Sequence, residues 1–113
     1  MEVTREAFEK LKASPFFKGK VVSASMEPVI RTGEEIVVDV GCKELRRFDI
    51  VVVYLEGKLV CHYLWAKNRV VTPVLLQTRN MKGQRDFPVE ESAYLGKVVS
   101  HRIGFLRRLR LLV

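Results

Sequence analysis

The chain is poor in the side chains that hold metals or form disulfides. Its 113 residues include only two cysteines and two histidines. Cys42 and Cys61 lack the Cys-x-x-Cys spacing of a metal or redox motif, and the histidines are too few to complete a zinc cage. We therefore expect no metal, no cofactor and no redox role. Cys61 is predicted to pack as a small apolar residue, and Cys42 to lie in a surface loop.

Long apolar runs are also absent. A membrane-spanning helix needs about 18 or more apolar residues, whereas the runs here, such as Ile50–Leu55, are the length of a strand. The N-terminal segment 1–6 mixes acidic and basic residues and lacks the apolar core of a secretory signal. These absences predict a cytoplasmic protein without a membrane span.

The composition is that of one ordinary globular domain, predicted to cover residues 1–113. Apolar residues make up 48% of the chain and charged residues 29%, with a net charge of +7. Such a charge permits an anionic partner. However, there is no zinc-finger spacing and no aromatic-rich RNA-binding signature, so nucleic acid is disfavoured as a partner. The oligomeric state is left open.

The pattern of apolar residues and turns predicts a mostly-β fold, a single barrel-like coiled β-sheet with one short N-terminal helix. The helix is placed within residues 1–17, with Thr4 as its N-cap and Pro15 as its stop signal. Hairpin turns and alternating apolar residues then mark the strands. They are expected at Glu35–Val40, Asp49–Leu55, Leu59–Trp65, Val70–Thr78 and Tyr94–His101.

The tail of residues 104–113 differs from the rest because it is short, basic and amphipathic. One interpretation is a terminal helix or strand that packs its leucines on the core and leaves its arginines in solvent. The other is peripheral contact with an anionic membrane surface. The first interpretation is favoured by the sequence alone.

The segment Ser23-Ala24-Ser25-Met26-Glu27-Pro28 contains the first candidates for chemistry. Ser23 and Ser25 lie on the same side of an extended chain. Ser25 is predicted to be a nucleophile, and the Ser23 hydroxyl with the Ser25 N–H an oxyanion hole. Met26 and Pro28 are the predicted substrate-binding residues: Met26 is expected to line a substrate cleft, and Pro28 to fix the backbone beyond it. Serines near a proline are also common in ordinary loops.

A histidine and an aspartate further along the chain complete a candidate triad. His62 shares a strand face with the apolar residues Val60 and Leu64, where burial favours a neutral imidazole able to act as a base. Asp86, at the end of a polar loop, is a candidate to orient that imidazole. The structural alternatives are a core histidine bonded to a carbonyl and a turn-capping aspartate. His101 is predicted to lie on the surface, and Asp39 and Asp49 to be structural.

The order of these segments resembles the superfamily that joins type I signal peptidases with LexA-type self-cleaving repressors. The resemblance covers about residues 21–99. Its parts are the serine box before Met-x-Pro, Gly33-Glu34, Phe48-Asp49-Ile50-Val51-Val52, Val60-Cys61-His62-Tyr63, Asp86 and Gly96-Lys97-Val98-Val99. It implies a mostly-β serine peptidase in which Ser25 is the nucleophile, His62 the general base, as in the endoplasmic-reticulum and archaeal branch, and Asp86 the orienting acid. Ser23 is then the oxyanion donor, and the substrate an extended peptide cut after small residues.

Several positions depart from the pattern of that superfamily. Thr78-Arg79-Asn80-Met81 lacks an acidic residue that the superfamily carries, Tyr63 replaces an arginine, and Phe48 replaces a glycine. A membrane anchor is missing, and the region before Val21 is too short for a DNA-binding domain, so neither a secretory signal peptidase nor a full repressor is expected. The prediction is a serine endopeptidase. The alternative is a non-catalytic, regulatory or self-processing peptide-binding module of the same fold.

Overall fold

The computed structural model describes residues 2–112, which form one antiparallel sheet with a short helix near each end of the chain. The sheet has seven strands in the order β1-β2-β7-β3-β4-β5-β6 and does not close into a barrel. The elements in chain order are α1 (Arg5–Lys12), β1 (Phe16–Lys20), β2 (Glu35–Val40), β3 (Ile50–Leu55), β4 (Lys58–Asn68), β5 (Leu75–Arg79), β6 (Val89–Glu90), β7 (Tyr94–Val98) and α2 (Phe105–Leu111). The predicted mostly-β fold class is confirmed.

Strand β3 lies in the middle of the sheet and is buried on both faces. Ile50 and Val52 belong to the larger apolar cluster on one face, and Val51 and Val53 belong to the smaller cluster on the other. Successive side chains of a strand point to opposite faces, so a continuous run of β-branched residues suits a strand that is covered on both sides. This rigid centre holds β4 through the pairing of Val51 with His62.

Helix α1 begins where the sequence predicts but ends earlier. The Thr4 hydroxyl accepts a hydrogen bond from the Ala7 N–H at 3.1 Å, which confirms the N-cap. The helix ends at Lys12, and Phe16 and Phe17, which lie within the region 1–17 given to the helix, belong instead to β1, where Phe16 pairs with Asp39. Pro15 disfavours helical backbone before it and leaves the following residues free to join the sheet. Of the region 1–17, Met1 lies outside the described residues.

The predicted strand over residues 70–78 is also shortened in the structure. Its first half is a loop in which Val70 is almost fully exposed, and β5 starts only at Leu75. β4, by contrast, runs on to Asn68 and pairs with Leu75. The two-residue strand β6 was not predicted.

The tail folds as α2, and its orientation differs from the favoured interpretation. Leu111 packs against the larger core cluster, whereas Leu106 and Leu109 are exposed. The N-cap of α2 is Gly104, and Val113 lies outside the described residues. Within residues 2–112 none of the helices is both long enough and apolar enough to cross a bilayer.

Candidate active site

Three separate parts of the fold supply the predicted site residues. The connection between β1 and β2 carries Ser23 and Ser25, β4 carries His62, and the loop between β5 and β6 carries Asp86. A backbone hydrogen bond from the Met81 N–H to the Ser25 carbonyl, at 2.9 Å, ties the two loops together. The structure therefore fixes the serine loop relative to the loop that carries the acid.

The three predicted catalytic side chains form one continuous chain of hydrogen bonds. Ser25 Oγ lies 3.1 Å from His62 Nε2, and His62 Nδ1 lies 2.5 Å from Asp86 Oδ2. The side chain of His62 is 12% exposed and that of Asp86 is 20% exposed. This is the geometry of a nucleophile next to a base that a carboxylate orients.

Thr78, which the sequence did not suggest as a site residue, supports Asp86 from the other side. Its hydroxyl donates to Asp86 Oδ2 at 2.6 Å, and the Asp86 N–H donates to the Thr78 carbonyl at 3.0 Å. Because Oδ2 accepts both hydrogen bonds, the tautomer that fits carries its proton on Nδ1 of His62. The Nε2 lone pair then faces the Ser25 hydroxyl. The available signal was the position of Thr78 two residues after Leu76, on the same face of β5, where both side chains are buried.

The surroundings of Asp86 favour its ionised form. Burial acts to raise the pKa of this carboxyl, but the hydrogen bonds from His62 and Thr78 and the charge of His62 outweigh it. The pKa of Asp86 therefore lies below its ordinary value of 3.8. An ionised Asp86 is able to stabilise a protonated His62.

This lowered pKa makes a prediction about stability in acid. A carboxyl whose pKa is lower in the folded state contributes stability above its unfolded pKa, and this contribution disappears as the pH falls through the folded value. The difference in free energy of unfolding between wild type and Asp86→Asn should therefore be largest near about pH 7 and shrink below about pH 4. Urea unfolding over that range measures it. A difference that stays constant with pH would show that Asp86 is not the ionised partner of His62.

Ser23 is close enough to Ser25 to contribute to an oxyanion site. The two hydroxyl oxygens are 3.0 Å apart, and the Ser25 N–H points at Ser23 Oγ over a long 3.4 Å. Hydrogen bonds of that length are weak, so the N–H is available to a better acceptor. Both donors predicted for the oxyanion hole thus lie on the same side of the chain as the candidate nucleophile.

The comparisons with known proteins give a family for this arrangement. The model of the Peptidase S24-like family matches residues 3–99, which is most of the chain. The chain belongs to the Peptidase S24-like family. This confirms the resemblance to the LexA and signal-peptidase superfamily. No curated protein matches the chain.

The S24-like match includes every candidate catalytic residue and both candidate oxyanion donors, and it ends before α2. Gly96, the first residue of the Gly-Lys-Val segment, is required by the close packing of two strands. A Cβ on Gly96 would lie 2.4 Å from the Asp39 carbonyl oxygen, so only glycine allows β7 to approach β2 this closely.

A groove with a volume of about 570 Å³ opens beside Ser25. Its walls come from β1 and β4, and Ile36 and Val52 line it as well. The structure differs here from the sequence-based prediction for the cleft. Met26 is 1% exposed and packs in the core, and Pro28 is exposed, so neither lines the groove. The apolar lining comes instead from residues that sequence reasoning missed, including Phe17, Val21, Val22, Leu59 and Cys61.

The other reactive or titratable residues that the sequence analysis considered do not take part in the hydrogen bonds that join Ser25, His62 and Asp86. Burial raises the pKa of the Cys61 thiol to about 12, so this groove residue is a neutral thiol near neutral pH. His101 contacts Glu34 at 3.3 Å, and Asp49 contacts Lys97 at the same distance. Among residues 2–112, no cluster of three or more histidine, cysteine or acidic side chains is arranged to hold a metal.

Proposed function

We propose that this chain is a serine endopeptidase that cleaves extended peptides through an acyl-enzyme on Ser25. The observation that carries the proposal is the unbroken series of hydrogen bonds from Ser25 through His62 to Asp86. A structural histidine needs one partner, whereas this imidazole contacts a hydroxyl with one nitrogen and a partly buried carboxylate with the other. Membership of a peptidase-like family supports the same chemistry.

The proposed first step is attack of Ser25 Oγ on the peptide carbonyl. His62 Nε2 takes the hydroxyl proton as the new C–O bond forms, and ionised Asp86 stabilises the resulting imidazolium. The proton then passes to the leaving amine as the C–N bond breaks, which leaves an ester on Ser25. Water, deprotonated by the same nitrogen, hydrolyses the ester and restores the serine.

The carbonyl oxygen of the substrate becomes negatively charged during both formation and hydrolysis of the acyl-enzyme, and hydrogen-bond donors are needed to stabilise that charge. The Ser25 N–H and the Ser23 hydroxyl are the proposed donors, because both lie beside the nucleophile. When the oxyanion displaces the weak contact between them, each gains a charge-assisted hydrogen bond in the transition state. The loss of one such donor typically costs 10²–10³-fold in kcat.

The sheet supports an extended substrate because two strand edges beside the groove are unpaired. β1 pairs only with β2, and β4 pairs with β5 only from Tyr63 onward, so Leu59–His62 has one free edge. Unpaired N–H and C=O groups accept a further strand. A peptide lying between these edges would pass directly over Ser25, which lines the same groove.

We propose that the residue before the cleaved bond is small and uncharged, as the superfamily resemblance implies. Apolar side chains such as Val22, Val60 and Cys61 line much of the groove, although Glu2, Lys20 and Lys58 line it as well. A charged side chain placed against the apolar part would lose its water without compensation.

A peptide library with mass-spectrometric mapping of the cut sites tests the proposal. We expect cleavage after alanine, glycine or serine in unstructured peptides, and none after charged or large aromatic residues. Binding of peptides by the folded protein without any cleavage would favour the regulatory or peptide-binding alternative. Cleavage mainly after charged residues would contradict the proposed role of the groove.

A further inference from the structure

Helix α2 turns most of its apolar side chains toward solvent, and only Leu111 packs on the core. With 100° between successive residues, Phe105, Leu106, Leu109 and Leu112 fall on one face. They are 72%, 76%, 46% and 51% exposed, respectively. A helix at the surface of a globular domain normally turns such a face to the core. We call these four side chains the α2 face.

Arg108 and Leu111 attach the opposite side of the helix to the rest of the protein. Arg108 Nε donates to the Ile103 carbonyl at 2.7 Å, and its guanidinium lies 5.6 Å from the centre of the Phe48 ring. Arg107 is partly buried, and Arg110 is exposed at the border of the α2 face. The contacts of Arg108 fix the helix in the orientation that exposes its apolar side chains.

The surroundings of the α2 face are positively charged. From Ser92 to the C-terminus the sequence contains no acidic residue, and Arg102 is exposed just before the helix. Beyond Phe48 lies Trp65, whose ring is covered by Arg47 at 4.2 Å and Arg79 at 3.6 Å. The α2 face is thus flanked by the exposed Arg102 and Arg110, and further arginines lie around Trp65, one aromatic ring beyond Phe48.

We propose that the α2 face binds the surface of an anionic phospholipid bilayer. Apolar side chains bordered by arginine suit the boundary between lipid headgroups and acyl chains. A second copy fits less well, because a twofold contact would bring arginines together without acidic partners. Nucleic acid also fits less well, because four apolar side chains offer no hydrogen bonds to phosphates.

The α2 face lies outside the residues of the S24-like match, which ends at residue 99. Leu111 of the same helix packs on the core cluster that contains Met26 and Tyr63, the neighbours of Ser25 and His62 in the sequence. Bilayer binding would therefore keep the candidate site near the membrane surface. The proposal does not depend on peptidase activity.

Co-sedimentation of the full chain with vesicles tests the proposal. We expect binding to equal parts phosphatidylcholine and phosphatidylglycerol, weak binding to phosphatidylcholine alone, and release at high salt. The variant Phe105→Ser/Leu106→Ser/Leu109→Ser should bind roughly 100-fold more weakly because it loses three inserted apolar side chains. Replacement of Arg102 and Arg110 by glutamine should cost about fivefold for each arginine.

A matched control is available in three exposed apolar residues on other parts of the chain. Phe16→Ser/Val70→Ser/Val99→Ser removes a similar apolar area and should leave vesicle binding unchanged. Thermal unfolding checks that both triple variants are folded. Equal binding of the α2 variant and the control would overturn the proposal. It would also be overturned if vesicles are not bound and the α2 substitutions instead abolish self-association or oligonucleotide binding.

Discussion

Replacement of Ser25 by alanine is expected to lower peptide cleavage by about 10⁴-fold or more. The hydroxyl is the only group of this residue that reaches His62, at 3.1 Å, and alanine keeps the backbone N–H of the proposed oxyanion site. Because the backbone carbonyl still accepts from Met81, the loop should keep its position. Single-turnover assays with the best library peptide measure the loss.

The control for this substitution is Ser14→Ala, which removes an exposed hydroxyl in the connection between α1 and β1. It should cleave at the wild-type rate. The Ser25 variant should unfold within about 1 kcal/mol of wild type, because few contacts are lost. Undiminished cleavage by a folded Ser25→Ala protein would remove Ser25 from the mechanism.

Replacement of His62 by alanine should be nearly as damaging as the loss of the nucleophile. Without the imidazole, the serine keeps its proton near neutral pH, and Asp86 has no cation to stabilise. We expect kcat to fall by about 10⁴-fold or more while KM changes little, since the groove walls remain. Steady-state kinetics with the same peptide separates the two effects.

The other histidine of the chain is the matched control. His101 contacts Ser100 and Glu34 away from the site, so His101→Ala should retain kcat. The Ser25→Ala/His62→Ala double variant should be no slower than either single variant, because residues that act as one unit are not additive. Additive losses would mean that His62 acts separately from Ser25.

Local patterns in the sequence were enough to predict the sheet and the N-cap of α1. Alternating apolar residues predicted Glu35–Val40 with the bounds that the structure has, and the β-branched run at Ile50 predicted the central strand. The bounds of β1 and the start of β5 were not predicted, because they are set by pairing with other strands of the sheet. Phe16 pairs with Asp39, which is distant in sequence, and helical or strand propensity carries little information about such partners.

The candidate site was predictable as a set of residues but not as a complete arrangement. The order of the serine box, His62 and Asp86 carried the family resemblance. The role of Thr78 as a hydrogen-bond donor to Asp86 was found only from the structure. The side chain of Thr78 is buried by the pairing of β5 with β4 and by the return of the Asp86 loop. The prediction for Met26 was wrong. This apolar residue beside the candidate nucleophile was expected to line the cleft, but the conformation of the loop buries its side chain in the core.

The orientation of α2 was beyond the reach of pattern analysis. An amphipathic sequence specifies that two faces differ, but not which face meets the protein. Here the guanidinium of Arg108 finds a carbonyl and an aromatic ring, and these contacts place the apolar face outward. The vesicle experiment is therefore the test of whether this basic tail binds an anionic membrane surface.

The most direct test of the proposed chemistry is to capture the acyl-enzyme. An activated ester such as p-nitrophenyl acetate should transfer one acetyl group per chain, and peptide mapping should place it on Ser25. Ser23 should remain unmodified, and the His62→Ala variant should react far more slowly. No acylation of the folded wild-type protein, or acylation at a residue other than Ser25, would contradict the proposed peptidase.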